Sequence, residues 1–210
     1  AIEITPTWQA VSAMRGTGSN RVRAADDFVP ERFSVGPETP FHIHNAFTRL
    51  SPLLVIMPAL GGVLLGVLGP VIETLIAALA GHTGAFTGEA RRDQAASQEL
   101  VARCRAQFRG LRAGLYQVAD EIDACLAHGE GVSPELRAEA YASSMFTVDA
   151  ARQLASDIFA GGTRDAFLRD DPMERGLKDL HAIGYIMAAA RFIVHTAGRV
   201  MLGGEHDPGA

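Results

Sequence analysis

The chain has little of what would fix its class at a glance. Only Cys104 and Cys125 occur in 210 residues, both within helical patterns, so neither a disulfide framework nor a zinc site is indicated and a reducing cytoplasm is expected. Lys and Arg form no cluster and the net charge is −5. The chain therefore lacks the electrostatic footprint of a polynucleotide binder. There is no G-x-G-x-x-G or Walker sequence, and Gly16-Thr17-Gly18 alone is too short to mark a dinucleotide fold. No internal repeat of solenoid length is found. No basic segment leads into an apolar stretch after Ala1, so no signal peptide is expected.

What is present is core-forming material. With 48% hydrophobic and 20% charged residues, the chain can bury a sizeable core and reads as one globular domain plus an attachment. Residues 1–45 carry turn formers and short apolar runs around Val11, Val22, Phe28 and Val29, consistent with strands, then a proline-rich linker. Ser51 to Ile72 contains no charge and includes a Gly62…Gly66 spacing that membrane helices use for packing. Pro52, Pro58 and Pro70 divide this run and Glu73 interrupts its continuation, so a buried central helix or helix pair over about 46–82 is preferred to a membrane span. Val101, Cys104, Phe108, Leu111, Leu115, Val118, Ile122 and Cys125 recur at three- and four-residue steps, the seam of a long helix. Ser133-Pro134-Glu135 restarts a helix that runs to about Ala160. Asp171-Pro172-Met173-Glu174 opens a last helix whose later half, Ala182 to Leu202, is apolar on nearly every side. The expected fold is mainly α: an antiparallel four-helix bundle over 46–210, preceded by a short β segment over 1–45.

The phrase Met14-Arg15-Gly16-Thr17-Gly18-Ser19-Asn20, followed by Asp26-Asp27-Phe28-Val29-Pro30-Glu31-Arg32, resembles the closing strands of the middle domain of the acyl-CoA dehydrogenase superfamily. The similarity extends through the small-residue apolar helix, the Gly161-Gly162 break and the run from Pro172 to Ala182. Within that superfamily the chain is most similar to the branch of flavin-dependent monooxygenases. The resemblance implies that residues 1–45 end a β-domain and that FAD or FMN binds between that domain and the bundle. It also implies a homotetramer, a small aromatic or polycyclic substrate, and a flavin reductase as a further partner.

Candidate site residues follow from both sources. His181, Tyr185, Ala188 and His195 share a helical stripe, a polar-tinged wall on a greasy element. The resemblance assigns His181 a catalytic place near the flavin; the stripe by itself puts Tyr185 and Ala188 in the substrate pocket. A second histidine is expected five positions on, where this chain has Ile186, which neither gives nor takes a proton. Gly161, Gly162 and Thr163 resemble the turn through which the family's bundle meets flavin. Glycines there permit close backbone approach, although an ordinary helix end reads the same way. His42 and His44 form a possible metal pair without a third ligand, so no metal site is assigned. Two alternatives stay open. Desaturation of an acyl thioester needs a carboxylate base; the Tyr-Glu-Gly-Thr phrase that often introduces it is absent, so the base is either missing from this chain or comes from a different helix such as the one carrying Glu73. A non-catalytic helical oligomerisation module needs no base at all.

Overall fold

The structure is a computed structural model that describes residues 2–36, 43 and 45–204. Five α-helices and a two-stranded antiparallel ribbon form it: β1 Ile2–Thr5, β2 Arg21–Ala24, α1 Pro52–Gly81, α2 Ala95–Ala127, α3 Pro134–Gly161, α4 Pro172–Met187 and α5 Phe192–Met201. The ribbon pairs Ile2 with Ala24 and Thr5 with Arg21. Val22 lies in it. Val11, Phe28 and Val29 do not, so the strand-forming part of the first segment is smaller than its apolar runs suggest.

Local chemistry sets the helix starts. Ser51, Ser133 and Asp171 are N-caps whose side-chain oxygens accept from Leu54 N (3.3 Å), Leu136 N (3.1 Å) and Met173 N (2.8 Å). Each is followed by a proline at the first helical position, where a missing N–H leaves nothing unsatisfied. The seam on α2 is buried along its middle: Cys104, Leu111, Leu115, Val118 and Ile122 face the core, with Phe108 half-buried against Gly69.

Two expectations need correction. Pro58 and Pro70 do not divide the apolar run; α1 is continuous through both. Pro70 and Gly66 sit on the exposed face, where water can take the carbonyl that a proline leaves without its i+4 donor. This helix is long and apolar enough to cross a membrane, but it packs against α2, α3 and α4 with Leu64, Leu68 and Leu75 fully enclosed. The last helix, in turn, is broken. A 3₁₀ turn at Ala188–Ala190 bends α5 by 60° from α4. The bend returns the chain to α3, burying Ile193 and Ala197, and Arg191 clamps Asp149 on α3 through its Nη2 at 2.7 and 2.9 Å. The fold is thus mainly helical, five helices with a short two-stranded antiparallel sheet at the start, and Ala182 to Leu202 is not buried all round.

Gly176 on α4 lies against Val71 of α1 so closely that a Cβ would overlap the valine methyl. Alanine would gain up to about 1 kcal/mol in helix propensity, but overpacking against a β-branched neighbour costs roughly 1–3 kcal/mol. Gly176→Ala should therefore lower the urea midpoint; an unchanged or raised midpoint would place α4 further from α1. Burial pushes the Cys104 thiol up from its ordinary value. Cys104 should resist maleimide at neutral pH in the native chain and react on denaturation, with half-buried Cys125 modified first. Equal native rates would contradict the packing.

Candidate active site

The apolar stripe of α4, comprising Met173, Leu177, Leu180, Ile183 and Met187, faces the core. On the same helix Glu174, Lys178, His181 and Tyr185 fall at steps of four, three and four, one continuous face. That face borders a groove of about 1110 Å³. Lys178 pairs with Glu174 one turn earlier, and the Glu174 side chain is only 11% exposed. His181 is exposed to the groove, and among the described residues its ring nitrogens have no protein partner. Tyr185, 79% exposed, and Ile186, 53% exposed, continue the wall toward the bend.

The opposite wall is the segment Trp8–Met14, which runs between the two strands. It is held in shape at Met14, which adopts a left-handed backbone (φ 50°). That conformation costs a non-glycine residue roughly 1–2 kcal/mol, and hydrogen bonds on both sides of the residue offset it. The Met14 N–H donates to Asp179 Oδ1 at 2.6 Å, and its carbonyl accepts from the Trp8 indole N–H and the Thr17 hydroxyl, each at 3.0 Å. One end of the groove is formed by Phe159 and Phe167, packed edge to face with centroids 6.1 Å apart.

Of the residues singled out from sequence, His181 and Tyr185 share this groove and Ala188 does not line it. Ala188 begins the 3₁₀ turn, and His195 lies on α5 beyond the bend, because the stripe was drawn on an unbroken helix. Gly161 and Gly162 border a separate recess of about 460 Å³ that includes Arg91, Arg103 and Asp157. The Gly162 N–H is already used, donating to Ile158 O at 2.8 Å. Arg91 donates to the carbonyls of Gly161 (2.8 Å) and Gly162 (3.3 Å), and the Thr163 hydroxyl donates to Asp165 Oδ2 at 2.9 Å. Glu73 is on the exposed face of α1, paired with Arg105 at 2.6 Å. His42 and His44 lie outside the described residues. Among the described residues no group of three or more His, Cys, Asp or Glu side chains could hold a metal ion.

Sequence reasoning missed Glu174, Lys178, Phe159, Phe167 and the whole Trp8–Met14 wall. The first two stand seven and three residues before His181 and were within reach of helical spacing. The wall was not, because only the docked backbone brings it to α4.

A groove of this size, mostly apolar, with a few polar groups along one side, has the make-up of a small-molecule site. Comparison with solved structures finds the same fold within longer chains. The 3-HSA hydroxylase from Rhodococcus sp. RHA1 superposes with a TM-score of 0.79 at 21% identity, over 99% of this chain and 56% of that one. XiaF from Streptomyces sp., solved in complex with FADH2 and glycerol, gives 0.81 at 16% identity, over 97% and 54%. The HsaA monooxygenase from M. tuberculosis gives 0.79 at 20% identity, over 99% and 55%. This chain thus spans little more than half the length of each. No curated protein matches the sequence. The family model for the acyl-CoA dehydrogenase C-terminal domain matches residues 59–191, from within α1 to the start of α5, well over half of the chain. On that match the chain belongs to the acyl-CoA dehydrogenase family and carries its C-terminal domain.

Proposed function

We propose that the complete protein is a flavin-dependent monooxygenase that oxidises a small aromatic or polycyclic substrate in the cytoplasm. The observation that carries this reading is an apolar groove flanked by aromatic rings, with one unpartnered imidazole, His181, on its wall. The ribbon supports it as well. Ile2, Ile4 and Val22 are all more than half exposed, as expected for strands at the end of a larger β-domain, since a lone two-stranded ribbon is marginal.

The groove's mostly apolar lining suits a flat ring. FAD or FMN would lie where bundle and β-domain meet, with its ring toward His181 and the substrate against Tyr185 and Ile186 near the bend. The Gly161-Gly162-Thr163 turn would take the flavin's anionic end from a neighbouring subunit of a tetramer. Because the Gly162 amide is spent inside the protein, the contact there would come from the recess with Arg91 and Arg103 rather than from glycine N–H groups. When bound, a reduced flavin supplied by a reductase provides the electrons for dioxygen; the protein's part is orientation, proton handling and a dry pocket. His181 Nδ1 or Nε2 would hold or accept the proton of a substrate hydroxyl, a task that suits an imidazole at neutral pH. Ile186 adds apolar contact only. Acyl thioester desaturation remains a second reading for a specific reason: Glu174 puts a carboxylate beside the groove, although Lys178 pairs with it.

In the complete protein, His181→Ala should lower kcat by about 10²–10⁴-fold. The side chain is exposed, so stability should stay within about 0.5 kcal/mol. Unchanged turnover would return His181 to a structural role. Tyr185→Ala should raise KM for an aromatic substrate by several-fold, the loss of one ring contact of about 0.5–1.5 kcal/mol, with kcat little changed. Preference for an acyl thioester over every aromatic compound, abolished by Glu174→Gln, would select the second reading instead.

A further inference from the structure

We infer that Asp179 is a positioning residue: its carboxylate latches the Trp8–Met14 wall onto α4 and so sets the width of the groove. This rests on the reading of the groove as a substrate site. Asp179 does not line that groove; it faces a neighbouring recess with Arg15, Gly16, Thr17, Val63, Val67, Arg175 and Ile183. Met14 alone among these wall residues borders both spaces and so forms the partition between them. On one side of it, His181 and Lys178 face the groove. On the other, Asp179 accepts the Met14 N–H at 2.6 Å, a short bond to a charged acceptor that spans 165 residues of sequence.

Three features make this bond a latch rather than an incidental contact. Met14 is left-handed, a conformation that persists only where its surroundings over-determine it. The Met14 carbonyl holds the Trp8 indole at 3.0 Å, so the position of Met14 is passed back along the wall to its far end. The other polar tie described between this segment and the helical part, Arg15 with Asp170, is 3.5 Å long and more than half exposed at both ends, where water and salt weaken it. Release of Met14 from Asp179 would leave the wall to the apolar packing of Met14 against the core, which is non-directional and does not fix its distance from His181 and Tyr185.

Trp8 is the only tryptophan, so its fluorescence reports the latch without any flavin. In the 210-residue chain, Asp179→Ala should reduce the latched population on the order of tenfold, the loss of a charge-assisted hydrogen bond. The readouts are a red-shifted emission maximum and stronger quenching by acrylamide, with helix content unchanged by circular dichroism. Asp179→Asn keeps an acceptor oxygen at the same place and should restore the emission of the unaltered chain. Indifference of Trp8 to both variants, or an equal response to both, would overturn the latch. Should Asp179→Ala fail to fold, hydrogen exchange in the unaltered chain decides: the Met14 amide must be protected, and exchange at the rate of a free turn overturns the inference. In the complete enzyme the alanine variant should raise KM and the asparagine variant recover it. A normal fluorescence response in the 210-residue chain, joined to a complete protein that never binds flavin, would sink the proposed function and leave the latch standing.

Discussion

Burial of α3 is the constraint from which the rest of the architecture follows. This helix packs on α1, α2, α4 and α5, and it can do so because small residues recur along it: Ala138, Ala140, Ser144, Ala151 and Ala155 are all buried. Small side chains let neighbouring helices approach, while Tyr141, Met145, Leu154 and Ile158 fill the space between them. Two of its buried hydroxyls are satisfied locally, Ser144 donating to Ala140 O at 2.6 Å and Thr147 to Ser143 O at 2.8 Å. With α3 in the middle, the apolar stripe of α4 has one place to go. The opposite face, with Lys178, His181 and Tyr185, is left at the rim. The groove follows from which side of α4 is free.

The same constraint accounts for the bend after Met187. A straight continuation would carry Ile193 and Ala197 away from α3. The 3₁₀ turn and the Arg191–Asp149 clamp turn them back onto it. His195 lies beyond the bend, and among the described residues His181 is the imidazole that lines the groove. The close approaches at Gly176 and Gly184, where Val71 and the stem of Arg152 take the space of a side chain, keep α4 tight against α1 and α3 along its length. The site is therefore mounted on a rigid element, while its second wall is a loop held by hydrogen bonds.

Much of this was legible in the chain. Capping residues followed by proline marked two of the helix starts, at Ser133 and Asp171, while the same pair at Ser51 and Pro52 was read as a break; the three- and four-residue spacing on α2 named the side chains that reach the core. The phrases around Gly16 and Pro172 pointed to the family that the match over residues 59–191 establishes. Two features were not legible, for physical reasons. Prolines inside an apolar run read as breaks, since their effect depends on whether the freed carbonyl meets water, which only the packed helix decides. The bend at Ala188–Ala190 has no glycine or proline to announce it; burial of residues further along produces it. His181 and Tyr185 were found because helical spacing is local. Trp8 and Met14 were missed because their place in the groove depends on a contact with Asp179 across nearly the whole chain.

The central claim is that the α4 face bearing His181 meets a flavin-sized aromatic ligand. Proton NMR of the imidazole resonances during titration with FAD and FMN tests it most directly, because the protein carries its own controls. The Nδ1 atoms of His82 and His128 are held against the carbonyls of Ala78 and Ala124, at 2.6 and 2.8 Å, at the ends of α1 and α2. Titration of the complete protein should give saturable shifts for His181, with ring-current signs expected of a stacked isoalloxazine, and little movement of His82 and His128. Shifts confined to those two, or a His181 resonance that never moves at saturation, would contradict it.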